Sequence, residues 1–95
     1  MKLAVSRAAT ADLERLLSFL EKSNPTAAGR AATILENAIQ SLDTMPERGR
    51  ASKLPDTREL IVPFGRSAYV LRYRYSIEND EIVVLRVWHG REVRD

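Results

Sequence analysis

The sequence contains no cysteine, one histidine, one tryptophan and four glycines, and each shortage removes a class of chemistry. Without cysteine there are no disulfides and no thiolate zinc sites, which fits a reducing cytosol. A single histidine provides no transition-metal cluster, and the scattered glycines form no phosphate-cradling loop. Ser52 and Ser67 lack the local context of a nucleophile. No apolar run approaches the roughly 18 residues of a membrane span. Asp12, Glu14 and Arg15 interrupt the N-terminal segment before a signal-peptide core forms, so export is not expected. The expectation is a cytoplasmic chain with no membrane contact, no metal and no cofactor.

What is present is an ordinary globular composition, 44% hydrophobic and 29% charged, over 95 residues. That length predicts one domain, 1–95, with a single core. The net charge is only +2 but is uneven: residues 1–47 hold 5 basic and 6 acidic side chains, and residues 48–95 hold 10 basic and 7 acidic. Twelve of the fifteen basic residues are arginine, whose planar fork suits carboxylate or phosphate recognition.

Lys2 to Ser6 alternates weakly, as a short strand does. Ser6 or Thr10 is placed to cap a helix, with Asp12 and Glu14 suited to the positive end of its dipole. Leu13, Leu16, Leu17 and Leu20 then form one apolar stripe down to about Lys22. Asn24-Pro25 is a cap followed by proline at the first helical position. Ala28, Ala31, Leu35, Ala38 and Leu42 run down one face of this second helix, flanked by Ala32 and Ile39, and the small side chains predict a tight helical hairpin laid across a sheet. Met45 to Arg50 ends the helix, and loop continues through Asp56. Arg58 to Val62 reads as a strand closed by Pro63, Gly65 as a turn, and the remainder as two strands reversed around Glu78-Asn79-Asp80. The predicted order is β-α-α-β-β-β, an α+β fold with about four strands, antiparallel-rich.

Strand side chains alternate between faces. Strict alternation puts Tyr69, Leu71, Tyr73, Val83, Leu85 and Val87 on a core face. It puts Val70, Arg72, Arg74, Val84, Arg86 and Trp88 on the other, where three guanidinium groups beside an indole predict a partner-binding surface. Trp88 is alternatively a stacking platform of a nucleic-acid-binding module. Arg72 and Arg86 are expected side by side, where like charges cost stability until an acidic partner arrives. Replacing both with alanine is therefore expected to leave the isolated domain at least as stable.

The element order, the Asp12-Leu13 helix start, Asn24-Pro25, Leu42 followed by Met45-Pro46-Glu47-Arg48-Gly49-Arg50, Leu54-Pro55 before Arg58-Glu59-Leu60, Tyr69-Val70-Leu71-Arg72-Tyr73 and the terminal Leu85-Arg86-Val87-Trp88-His89-Gly90-Arg91-Glu92 together resemble the RelE/ParE superfamily of toxins from bacterial type II toxin–antitoxin systems. The Pro-Glu-Arg-Gly-Arg and His-Gly-Arg segments look more like the ParE and plasmid-stabilisation branch. The resemblance implies a toxin neutralised by a cognate antitoxin within a hetero-oligomer. The antitoxin's C-terminal segment, disordered alone, is expected to fold over the helical hairpin and the arginine-bearing sheet. ParE-type members inhibit DNA gyrase, whereas RelE-type members cut messenger RNA on the ribosome.

Metal-free RNA cleavage needs a base, cations for the phosphorane-like transition state and an acid for the leaving oxygen. Glu59 or Glu92 as base, Arg72, Arg86 or Arg91 at the phosphate and His89 as acid supply the residue types. Two departures argue against this chemistry. RNA-cleaving relatives usually carry an arginine immediately after the strand tyrosine, where Val70 stands here. They also usually run on to a tyrosine or further basic residues, whereas this sequence ends at Asp95. The expectation is a ParE-like toxin that is not an enzyme, with partner contacts at Arg72, Arg74, Arg86, Trp88 and Arg91. The alternatives are a RelE-like endoribonuclease and a non-toxic family member.

Overall fold

The computed structural model describes residues 1–92; the terminal Asp95 lies outside them. Its elements are β1 (Lys2–Val5), α1 (Arg7–Ser23), α2 (Pro25–Ser41), β2 (Arg50–Ala51), β3 (Thr57–Phe64), β4 (Ser67–Ser76) and β5 (Glu81–His89). Both helices begin where side-chain oxygens satisfy their first free amides: Ser6 Oγ accepts from Ala9 N–H at 3.0 Å, and Asn24 Oδ1 from Ala27 N–H at 3.1 Å. Ser6 is therefore the cap, and Thr10 lies inside α1. Ala28, Ala31, Leu35 and Ala38 of α2 are all buried, as their spacing predicts, and so is Leu42 just beyond it.

The sheet has five strands in the order β1-β5-β4-β3-β2, one more than the sequence suggests. The extra one is β2, two residues long and pairing Arg50 with Glu59 and Ala51 with Arg58 inside the predicted loop. It was illegible because two residues carry no periodicity. β1 runs parallel to β5 and the other pairs are antiparallel. The helices cover one face, where Leu16, Leu35, Leu42, Leu71, Tyr73, Val84 and Val87 form the core.

Two strand expectations are corrected. Pro63 does not close β3 but lies within it, paired with Ala68. β2 reaches only Glu59, and the alternation of backbone direction turns the Pro63 nitrogen to the open edge, where a missing N–H costs no ladder bond. In β5 the register shifts between Arg72–Arg86 and Tyr73–Val84, leaving Leu85 as the bulged residue. The bulge reverses the phase: Val84 belongs to the core face, whereas Val83 and Leu85 do not, so strict alternation misplaced all three.

The Pro46-Glu47-Arg48-Gly49-Arg50 loop is built around Tyr73. The buried phenol donates to Pro46 O at 2.7 Å and accepts from Gly49 N–H at 2.8 Å, while Arg58 Nη1 donates to Gly49 O at 2.8 Å. A Cβ on Gly49 would stand 2.8 Å from both the ring edge and the hydroxyl of Tyr73, so this position has room only for glycine. Burial raises the Tyr73 pKa above its ordinary value. The neutral phenol then contributes stability that is present below pH about 10 and is lost as pH rises through the folded-state value. Tyr73→Phe is expected to cost about 1–3 kcal/mol by stranding the buried Gly49 amide and the half-buried Pro46 carbonyl. It should also flatten the loss of stability above pH about 10; denaturant titrations at pH 7 and across the alkaline limb measure both.

Candidate functional site

On the sheet face turned away from the helices, Glu59, Arg72 and Arg86 form one row across three neighbouring strands. Arg72 and Arg86 are side by side, as expected, but each already has an acid on its far flank. Arg72 Nε and Nη2 donate to Glu59 Oε2 at 3.2 and 2.9 Å. The guanidinium carbon of Arg72 stands 4.9 Å from the Trp88 ring centroid, a cation–π stack. Trp88 is only 7% exposed, so the indole packs as a floor and offers no open face for stacking a base. This corrects the stacking-platform reading.

At the other end of the row Asp12 reaches across from α1. Arg86 Nε donates to Asp12 Oδ2 at 2.8 Å and Nη2 to Oδ1 at 3.0 Å, a bidentate pair. Hydrogen bonding to this carboxylate raises the Arg86 pKa further above its ordinary value. Oδ2 also accepts from Val87 N–H at 2.9 Å. β1 pairs with β5 only as far as Val84, and past that point Ser6 and Asp12 replace the missing strand. Ser6 N–H donates to Val84 O at 2.9 Å and Ser6 Oγ to Leu85 O at 3.0 Å. Asp12 is thus a structural ligand of the sheet edge in the second turn of α1, not a first-turn dipole partner.

The network continues to the end of the described chain. Arg15 lies 3.8 Å from Asp12 Oδ1 and 3.2 Å from Glu92 Oε2, and Glu92 Oε1 accepts from His89 N–H at 3.0 Å. Arg91 is exposed in the turn after β5, and its N–H donates to His89 Nδ1 at 3.2 Å. His89 Nε2 lies 2.9 Å from Ser67 Oγ. Because Nδ1 accepts, the neutral ring carries its proton on Nε2 and donates it to Ser67; the serine is not activated as a nucleophile.

The candidate cleavage residues split: Glu92 and Arg91 lie in the turn that bonds His89, whereas Glu59, Arg72 and Arg86 do not share its face. His89 pairs with Tyr69 across β4 and β5 and packs edge-on against its ring, 5.5 Å between centroids, on the helix-facing side. Glu59 and Arg72 lie on the opposite face, on the same side as Trp88. Arg74 is also on the outer face and is exposed. Among the described residues no group of three or more His, Cys, Asp or Glu is placed to hold a metal ion. No helix among them is long and apolar enough to cross a membrane.

Residues 3–94 match the model of the ParE toxin of type II toxin–antitoxin systems, parDE. The chain belongs to this family. Toxin RelE1 of Caulobacter vibrioides is 47% identical over 90 residues, covering 95% of this chain and 94% of that protein. Toxin RelE3 of the same organism is 36% identical, covering 87% of each. Among solved structures, a chain of the chromosomal ParDE toxin–antitoxin system from P. aeruginosa superposes with a TM-score of 0.76 at 25% identity, covering 94% of this chain and 95% of that one. The chain is a RelE/ParE superfamily toxin, and its Pro-Glu-Arg-Gly-Arg segment is the loop that Tyr73 anchors.

Sequence reasoning missed Asp12, Arg15 and Gly49 as organising residues. The signal for Asp12 was available: Ala9, Asp12 and Leu16 share the buried face of α1, and an acid on an apolar stripe calls for a cation opposite. The structure also reverses the expectation that removing Arg72 and Arg86 relieves repulsion. Asp12 is 5% exposed, and Arg86→Ala leaves its carboxylate without the bidentate partner. A fully buried pair broken in this way costs about 3–5 kcal/mol; the half-exposed Arg86 head brings the expected loss to about 2–3 kcal/mol. Arg72→Ala, which also uncovers Trp88, should cost less. Thermal melts of the two single variants and the double variant test the ranking.

Proposed function

We propose that this toxin acts by binding a protein target, DNA gyrase, and not by cutting RNA. The observation that carries this reading is the placement of His89 on the helix-facing side while Glu59 and Arg72 occupy the outer face. General acid–base cleavage of one phosphodiester needs base, cation and acid within hydrogen-bond reach of a single reacting phosphate. Here both His89 ring nitrogens are engaged by Ser67 and the Arg91 amide, and of the two candidate bases Glu59 is held by Arg72 and Glu92 by Arg15 and the His89 amide. Val70 adds no cation beside Tyr69. Membership of the ParE family favours gyrase as the target.

The cognate antitoxin is the expected partner in a hetero-oligomer, as the ParDE name of the structural neighbour indicates for that system. Leu13, Leu17 and Leu20 of α1 are only partly buried and Phe19 is 76% exposed, which provides an apolar helix surface for a segment that folds on binding. A ribosome-dependent endoribonuclease is the second reading, favoured by the relatives named RelE.

Two assays separate the readings. Purified toxin is expected to block supercoiling by DNA gyrase in a topoisomer assay and to leave cellular transcripts uncut in primer extension. His89→Ala is expected to retain growth inhibition close to wild type. Loss of toxicity in a His89→Ala variant that still folds and binds antitoxin, together with new 5′ ends on mRNA, would replace this reading with the nuclease. Transcript cleavage without any effect on gyrase would do the same.

A further inference from the structure

The two edges of the sheet are finished differently. On the β3 side, β2 covers Arg58 and Glu59, and past it the odd-numbered residues face outward. Pro63 has no N–H, so Ile61 holds the one outward amide between Glu59 and the end of the strand. On the other side no strand covers β1 among the described residues. Lys2 N–H donates to Asp80 O and Ser6 N–H to Val84 O, each at 2.9 Å, so the even-numbered residues turn their backbone groups to β5. Leu3 and Val5 turn theirs outward, and these two N–H and two C=O groups meet no partner among the described residues. Neither proline nor a bulge interrupts this edge.

The side chains around the open edge select its occupant. Lys2 and Arg7, at either end of β1, are exposed and enter no ion pair among the described residues. The nearby acids do not answer them: Asp80 pairs with the Met1 ammonium at 3.5 Å, and Glu81, although the register partner of Lys2, makes no ion pair with it. Arg7 opens α1, whose first turn contains no acid, so its charge stands against the positive end of the helix dipole. A local rule broken in this way marks a place where a partner supplies the missing charge. Between the two cations Leu3 is half-buried and Val5 is 38% exposed, both on the helix-facing side. A second copy of this chain is the poorer occupant, because β1 laid against β1 brings two Lys2 and two Arg7 side chains into one seam.

We propose that β1 is an edge left open for the antitoxin, which adds a sixth strand to the sheet there through an extended segment with acidic side chains near its ends and apolar ones beside Leu3 and Val5. β1 leads through Ser6 directly into α1, so the open edge and the apolar α1 surface are consecutive in the chain. The proposal rests on the antitoxin as partner and is independent of the gyrase reading.

The test combines amide hydrogen exchange, read residue by residue, with one charge reversal, using the full chain and the full-length cognate antitoxin. In the toxin alone the Leu3 and Val5 amides are expected to exchange freely, and in the complex to slow at least about tenfold. The Ile61 amide at the opposite edge serves as the control and is expected to change little. Arg7→Glu places an acid in the first turn of α1, so the isolated variant should melt at least as high as wild type, while its calorimetric affinity for the antitoxin falls about tenfold. Leu3 and Val5 amides that exchange equally fast free and bound overturn the added strand, as does protection at Ile61 in their place. Protection of Leu3 and Val5 already in the toxin alone, with a dimer's mass, assigns the edge to a second copy and overturns it too. Unchanged affinity in Arg7→Glu overturns the acidic character of the segment. A wild-type toxin that binds no antitoxin overturns the partner reading itself and this proposal with it.

Discussion

The Asp12 carboxylate is the contact on which the rest of this toxin depends. One side chain, nearly excluded from solvent, binds the Arg86 guanidinium through both oxygens and the Val87 amide through one of them. It does so at the point where β1 has ended and the β5 edge would otherwise face outward with unmet backbone groups. An unmet buried amide and an unpaired buried carboxylate are each costly, and this one arrangement removes both costs. It also fixes the position of α1 over β5, and through Arg15 and Glu92 it fixes the turn that follows His89.

The charge order across the sheet follows from that anchor. Glu59, Arg72, Arg86 and Asp12 follow one another as acid, base, base, acid over β3, β4, β5 and α1, so each of the two adjacent arginines is neutralised from its far side. The stack of Arg72 on Trp88 then keeps a large indole covered on a face that no helix protects. A sheet with one open face needs such covers, because an exposed tryptophan beside Ile61 would make a wide apolar patch.

Much of this fold is legible from the residues. The alanine and leucine spacing of α2, the Asn24-Pro25 cap and the apolar stripe of α1 each obey a local rule, and each is found as expected. What escaped was non-local. The bulge at Leu85 is invisible to strict alternation because a single unpaired residue puts the side chains before it and after it in opposite phase. The partners of Arg72 and Arg86 come from positions 13 and 74 residues away, so a sequence window sees two exposed cations where the folded chain has two ion pairs. The candidate cleavage residues illustrate the same point: Glu59, Arg72 and His89 are chemically suitable, but only strand parity decides that they face apart.

The parallel pairing of β1 with β5 sets the order in which the molecule is completed. Lys2 to Val5 lie against Glu81 to Val84, Ser6 bonds Leu85 O and Asp12 bonds Val87 N–H, contacts that span 75 to 79 residues of sequence. During synthesis α1 and α2 can form early, but the edge they must seal does not exist until β5 has been made. Such long loop closures are slow steps, and here they wait on β5, the last of the described strands. Until then α1 has no Arg86 guanidinium for Asp12. The toxin is therefore closed late: its first strand and first helix gain their sheet partners only once β5 has been made.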